Sequence, residues 1–303
     1  MNGQTHSKTL RAQLSEASRV AEHQLLAKRT TLGVGGPAEI FIEPASEADL
    51  ALVVRYCKAN EVPVFVLGRG YNLLIRDGGI RGVVLSLQND YFSRLEVRDG
   101  ELHCGAGARL KHVANAARDA GLGGLEFLEG IPGCIGGALR MNAGAMGAMI
   151  FEMVERVRFM GADGTVEERP AATMAAEYRS CPVLRETIAL GAVLRGEGTD
   201  SETVRARMVE FRKHRTSTQP HYRSAGCMFK NPVEKPAGQL VDECGLKKYS
   251  VGGASVSELH GNFIINDGQA TADEVITLIK HVRAEVLKAT GIELQIEVQI
   301  VGE

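Results

Sequence analysis

The stretch with most chemical promise is Gly130-Ile131-Pro132-Gly133-Cys134-Ile135-Gly136-Gly137, which runs on into Ala138-Leu-Arg140-Met-Asn142-Ala143-Gly144. So much Gly and Ala in one run sacrifices local stability, because Gly loses more backbone freedom on folding than any other residue. Two arrangements offset that loss. A large flat or phosphorylated ligand can lie against bare backbone, or chain can pack closely on chain. A second Gly-rich turn, Gly68-Arg69-Gly70-Tyr71-Asn72-Leu73, follows the apolar run Val62 to Leu67. Bare N–H groups in such a turn can cradle an anion. It lacks the Gly-Lys-Ser/Thr of a P-loop and the third Gly of a Rossmann turn, so turn chemistry alone leaves a plain tight turn equally open.

Three further side chains could do chemistry. Arg179, in Glu177-Tyr178-Arg179, is always protonated and can grip a carboxylate through two N–H groups. Cys227, in Ser224-Ala-Gly-Cys-Met-Phe-Lys-Asn-Pro232, carries a thiol with an ordinary pKa of about 8.5, a better proton donor than a hydroxyl. Glu297, in Ile296-Glu-Val298, could hold or share a proton. Taken singly, each has a plainer reading: a surface ion pair, a small buried hydrophobe and the outward residue of an alternating strand.

The elements that must position these groups follow from periodicity and caps. Ala38 to Glu43 alternates as a strand, and Ser46-Glu-Ala-Asp49 opens a helix bearing Leu50, Val53, Val54 and Cys57 on one side. Strands are expected at 62–67, 82–87 and 94–97, and a helix at 109–121. Gly161-Ala-Asp-Gly164 should turn a hairpin between Val157–Met160 and Thr165–Arg169. A strand over 187–194, a helix over 202–214, a capped helix from Thr271 to about Ala289 and a final strand over 292–301 complete the pattern. Residues 1–27, polar with loose helical periodicity, read as an N-terminal extension. The polar stretch Gly196 to Ser201 reads as a domain boundary.

Composition excludes several classes. The chain has 303 residues, with 35 basic against 37 acidic, so no dedicated nucleic-acid or anionic-membrane surface is expected. Trp is absent and aromatics make up 5%, which argues against a stacking platform for single strands. The six Cys show no C-x-x-C spacing and no zinc-type cluster, so no metal is expected, and free thiols in a reducing cytoplasm are the better reading. His6, Lys8 and Arg11 interrupt any apolar signal core, and Arg140 breaks the longest small-residue run, so no membrane span is expected.

Taken in order, these segments resemble the UDP-N-acetylenolpyruvoylglucosamine reductases (MurB), a family of PCMH-type FAD-binding flavoproteins. The Gly130–Gly144 run is similar to the family's FAD-binding signature, and 67–74 to its phosphate loop, with Tyr71 where Ser is usual. Thr30-Thr-Leu-Gly-Val-Gly-Gly36 resembles its N-terminal segment, with Thr30 in place of Asn. The segments around Arg179, Cys227 (where Ser is usual) and Glu297, and Ala237 to Asn266, match in the same order. Thr218 stands where many members carry Lys, and the short stretch from Ser180 to Leu194 resembles the subtype that lacks a substrate-capping loop.

The resemblance implies an α+β fold: a PCMH-type FAD-binding domain over 28–197, made of two α+β subdomains meeting near Leu87, and a C-terminal α+β substrate-binding domain over 198–303. It implies noncovalent FAD held by Gly68, Arg69, Gly70, Tyr71, Asn72, Leu73, Gly130, Ile131, Pro132, Gly133, Gly136, Gly137, Arg140, Asn142, Ala143 and Gly144. NADPH is the implied reductant and UDP-N-acetylglucosamine-enolpyruvate the implied substrate, contacted by Tyr178, Arg215, Lys230 and Asn231. In the implied reaction a hydride adds to C3, charge grows at C2 and spreads into the carboxylate gripped by Arg179, Glu297 stabilises the enol, and Cys227 delivers the proton to C2. A monomer or weak oligomer is expected. Two other readings use the same fold: a PCMH-type oxidase that hands electrons to oxygen, and a non-catalytic nucleotide-sugar-binding flavoprotein.

Overall fold

The computed structural model describes residues 3–303. The chain divides into two compact units: residues up to Glu22 with 40–69 and 82–215, and residues 23–39 with 70–81 and 216–303.

In the first unit, helix α1 (Gly3–Gln13) buries Leu10 completely. The helical reading of 1–27 fails beyond it, because Arg19–Leu25 is a strand. Sheet pairing overrides the weak local preference there. That strand lies at the edge of a four-stranded sheet in the order Arg19–Leu25, Pro37–Glu43, Ile80–Leu85 and Val64–Val66. The last two run parallel, with Val64 opposite Val83. Helix α2 (Glu47–Ala59) begins at Ser46, whose hydroxyl accepts the Asp49 amide at 3.1 Å. Its Leu50, Val53, Val54 and Cys57 fill one core with Leu10, Ile40, Ile42, Val83 and Leu85. Burying each large aliphatic side chain contributes about 1.5–3 kcal/mol.

A second core of this unit lies on a five-stranded antiparallel sheet in the order Val166–Pro170, Val154–Met160, Ile188–Arg195, Glu101–Gly105 and Leu95–Arg98. The expected hairpin around 161–164 joins the first two strands. Helix α3 (Leu110–Asp119) turns Leu110, Val113, Ala114 and Ala117 into this core. The short helices α4 (Ile135–Arg140) and α5 (Val183–Glu186) follow. Helix α6 (Ser201–Thr218) adds Val204 and Met208 to the same core. The unit therefore continues to Arg215 and does not break near residue 197.

In the second unit, four antiparallel strands lie in the order Arg223–Cys227, Phe263–Asn266, Ala254–Val256 and Ser250–Val251. Helix α7 (Ala237–Glu243) and helix α8 (Ala272–Thr290) pack with them. The expected capping box is present: Thr271 accepts the Glu274 amide, and the Glu274 carboxylate accepts the Thr271 amide at 3.0 Å. Gly291, at φ 75°, ends α8 in the left-handed conformation that suits glycine. Val275, Ile279, Val282 and Val286 form the buried stripe of α8.

The single strand expected over 292–301 is not formed. Only Gln299–Val301 is a strand, pairing in parallel with Leu73–Ile75. Upstream of it, the Lys230 amide donates to Gln295 and the Glu297 amide to Met228. The segment changes partner at Val298, so no one ladder can include all ten residues.

Candidate active site

Within the second unit, the backbone brings two candidate catalytic residues together. Cys227 ends the strand Arg223–Cys227, and the pairing of that strand with Phe263–Asn266 slips between Ser224 and Cys227. Gly226 sits in the slip at φ 84° with open space where a Cβ would be. This is a bulge, which re-aims the side chain that follows it. Asn262 then pins the chain: its Oδ1 accepts the Phe229 amide and its Nδ2 donates to the Phe229 carbonyl, both at 2.8 Å. The Met228 carbonyl, one residue after Cys227, accepts the Glu297 amide at 2.8 Å. A thiol and a carboxyl therefore come from adjacent points of two joined backbones.

Asn72 belongs to the same group. Its Nδ2 donates to the Glu297 carbonyl at 3.4 Å, and its carbonyl accepts the Gln299 amide at 3.0 Å. It holds φ 57°, uncommon for a non-glycine residue but most tolerated by Asn and Asp. Gly70 packs on 29–30, where a Cβ would meet the Arg29 carbonyl oxygen at 2.2 Å, so close packing accounts for that glycine. Leu73 is buried in the parallel pair with Gln299, and Tyr71 is exposed. Lys230 is half-buried, and the Asn231 Oδ1 accepts the Ala237 amide at the start of α7.

Within the first unit, the glycines of the 130–144 run separate into two kinds. A Cβ on Gly136 would meet the Ala106 Cβ at 3.1 Å, and one on Gly144 would meet the Ala148 carbonyl oxygen at 2.5 Å, so packing explains both. Gly130 and Gly137 face nothing within 4 Å and do not hold positive φ. Neither packing nor conformation requires glycine at these two, which leaves bare backbone facing open space. Gly133 holds φ 142°, and its carbonyl accepts the Leu110 amide. Pro132 and Ile131 are half-buried, with Ile131 and Ala143 against the core.

Two anchors fix these loops that sequence reasoning did not single out. The Gln88 Nε2 donates to the Gly68 carbonyl at 2.6 Å while its Oε1 accepts Arg69 Nη1 at 3.2 Å. The buried Cys134 thiol is pushed up by burial, opposed by the amides of Gly137 and Arg69 that point at it. Cys134 stood in plain view inside the Gly-rich motif; Gln88 carries no sequence signal. Arg215 Nη1 donates to the Gly130 carbonyl at 2.7 Å, and the neighbouring Arg212 pairs with the buried Glu129 at 2.7 Å.

Arg179 sits in a tight turn closed by two hydrogen bonds, the Glu177 amide to the Ser180 carbonyl at 2.8 Å and the Ser180 amide to the Glu177 carbonyl at 3.2 Å. Arg179 holds φ 56°, and its guanidinium lies 4.9 Å from the centre of the exposed Tyr178 ring. A left-handed non-glycine residue stores about 1–3 kcal/mol, and such strain clusters at functional sites. The Arg140 side chain turns to the protein, donating to the Leu184 carbonyl at 2.6 Å; burial beside Arg185 lowers its pKa.

Two family models match the chain. One, the UDP-N-acetylenolpyruvoylglucosamine reductase C-terminal domain, matches residues 219–301, and the other, an FAD binding domain, matches residues 38–169. A UDP-N-acetylenolpyruvoylglucosamine reductase of Nitrobacter hamburgensis is 41% identical over 97% of this chain and 96% of its own. The chain belongs to the UDP-N-acetylenolpyruvoylglucosamine reductase family. The Anoxybacillus flavithermus member is 40% identical over 97% of this chain and 98% of its own. The crystal structure of UDP-N-acetylenolpyruvylglucosamine reductase (MurB) from Thermus caldophilus superposes with a TM-score of 0.81 at 35% identity, covering 94% of this chain and all of that one. Members of this family are oxidoreductases, and the α+β fold with its FAD binding domain is the expected one. The residues present fit a flavin: Gly130 and Gly137 offer unobstructed backbone of the kind a flat ring system or a phosphate can lie against. Among the described residues no helix is long and apolar enough to cross a membrane.

Proposed function

We propose that this chain reduces UDP-N-acetylglucosamine-enolpyruvate to UDP-N-acetylmuramate with NADPH, using noncovalent FAD, and so feeds peptidoglycan synthesis in the cytoplasm. The observation that carries the reading is the hydrogen bond from the Glu297 amide to the Met228 carbonyl, beside the bulge at Gly226. That bond joins the backbones that carry Cys227 and Glu297 at adjacent points, which supports a reading in which the thiol delivers a proton to carbon next to an enol held by the carboxyl.

The chemistry FAD supplies when bound is two-electron transfer, a hydride taken from NADPH and given to C3 of the enolpyruvyl group. The chain's own residues manage the charge and the proton. Arg179 would grip the substrate carboxylate with parallel N–H groups, matched to the charge that grows at C2. Glu297 would hold a proton against the enol oxygen. Cys227 would give its S–H proton to C2, forming the C–H bond and leaving a thiolate that solvent reprotonates. Lys230, with a compact positive charge, would bind the diphosphate, and Tyr178 and Asn231 would contact other parts of the nucleotide sugar. Arg215 would orient the loop at Gly130, to whose carbonyl it donates.

Substrate-dependent loss of NADPH absorbance tests the activity, and variants at Cys227 test the mechanism. Cys227→Ser should keep substantial turnover. Cys227→Ala should lose most of it, on the order of 10²-fold or more, while NADPH still reduces the flavin at the normal rate. A Cys227→Ala protein that turns over normally would place the proton donor elsewhere.

A further inference from the structure

Asn142 lies in the Gly-rich run where a ligand contact is expected, yet its side chain is 3% exposed and both ends meet protein backbone. Its Oδ1 accepts the Phe151 amide at 3.3 Å, and its Nδ2 donates to the Glu177 carbonyl at 3.0 Å. A main-chain N–H can only donate and a carbonyl only accept, so the two partners fix which end of the amide is which. Asn142 holds φ 39°, so its own backbone is also committed. Glu177 is the first residue of the turn that carries Arg179. Two residues before Asn142, the Arg140 carbonyl accepts the Cys181 amide at 3.0 Å, just beyond the other end of the turn. The segment 140–142 thus holds the Glu177–Ser180 turn at both ends.

We infer that Asn142 is a positioning residue that acts through Arg179, and that it is not a contact to the cofactor. The inference rests on the proposed reductase reading for its effect on rate. Arg179 sits at φ 56° in a turn that would relax without restraint. A guanidinium must meet a carboxylate in one plane to bond it twice, so a small rotation of the turn removes the second bond. Asn142 supplies restraint from a direction the turn's own two hydrogen bonds do not.

Two variants read this separately from folding. Asn142→Asp keeps the acceptor for Phe151 and replaces the donor to Glu177 with an oxygen. Asn142→Gly removes both bonds and suits the positive φ. In both, flavin content and the rate of flavin reduction by NADPH should match wild type, while reoxidation of pre-reduced flavin by the enolpyruvyl substrate should slow about 10- to 100-fold, as expected for a misplaced group. In an Arg179→Ala background, either variant should slow reoxidation no further. Hydrogen exchange at the Glu177 and Ser180 amides should quicken in both Asn142 variants whatever the catalytic result. Loss of flavin, an equal slowing of both half-reactions, an additive effect in the Arg179→Ala background or unchanged exchange would each overturn the inference. A wild-type protein whose reduced flavin ignores the substrate would instead overturn the reductase reading, with the exchange result still deciding the role of Asn142.

Discussion

Gly136 and Gly137 are neighbours in one short helix, and a single methyl on each should act with opposite sign. Gly137 is exposed, lies in α4 and has no protein atom within 4 Å of a Cβ. Gly137→Ala should therefore stabilise the flavin-free protein by about 0.5–1 kcal/mol, the usual gain of Ala over Gly in a helix. For a protein of this size that raises the melting temperature by about 2 °C. The same methyl would occupy the space proposed for the cofactor, and overpacking of about 1–3 kcal/mol weakens FAD binding roughly 5- to 150-fold. At Gly136 the methyl meets the Ala106 Cβ at 3.1 Å and its carbonyl oxygen at 3.3 Å, and that oxygen already accepts the Gly136 amide at 2.8 Å. Crowding there exceeds the helix gain, so Gly136→Ala should destabilise by about 1 kcal/mol. Thermal melts of the apoproteins, with FAD titrations followed by quenching of flavin fluorescence, measure both terms. A Gly137→Ala protein that melts below wild type, or binds FAD as tightly, would refute the assignment of this backbone to the cofactor.

Arg179→Gly should relieve the left-handed strain and melt at or above the temperature of Arg179→Ala, while both variants lose reduction of the enolpyruvyl substrate; calorimetry giving the reverse order would contradict the strain at φ 56°. Burial pushes the Asp49 carboxyl up, but hydrogen bonds from Ser15 and Ser46 outweigh it and hold the pKa below the usual carboxylate value. A depressed carboxyl gives stability that is fully present above its unfolded pKa of about 3.9 and is lost as pH falls through the folded value. Asp49→Asn should therefore be less stable at neutral pH, and its deficit should shrink below about pH 4; urea unfolding across the acid range would show a constant deficit if the bonds contribute nothing. Burial pushes the Cys57 and Cys104 thiols up to about 12 and also raises Cys134 and Cys181, while only Cys227 and Cys244 are partly exposed. Burial and the nearby Glu243 and Glu285 raise Cys244 as well, so alkylation of the folded protein at about pH 8 should mark Cys227 first. Peptide mass mapping that finds another cysteine ahead of it would count against an accessible thiol there.

Features that depend on local chemistry were legible in the sequence. The Ser46 cap, the Thr271–Glu274 box and the hairpin at 161–164 each need only residues within a few positions, and each formed as expected. The candidate site rests on ordered motifs around Arg179, Cys227 and Glu297, whose residue types suit the proposed chemistry. What the sequence hid depends on partners without side-chain identity. Asn142 reads as part of a ligand loop because its actual partner is a main-chain carbonyl, which any residue at 177 would supply. The partner change at Val298 was hidden because the alternation from Ile292 to Val301 suits either neighbour equally. The division at 215 was hidden because nothing in α6 itself says which core receives Val204 and Met208.

The parallel pair between Leu73–Ile75 and Gln299–Val301 bears on the order in which the molecule can be built. Asn72 and Glu297 stand 225 residues apart along the chain. During synthesis the strand Leu73–Ile75 thus waits for a neighbour that emerges only after the cores gathered around α2 and α3 have all their members. A nascent protein halted short of residue 299 would carry a folded first unit and an unclosed edge at 73–75. That open edge, with its unpaired N–H and C=O groups, would offer a second copy of the unfinished chain a strand to pair with.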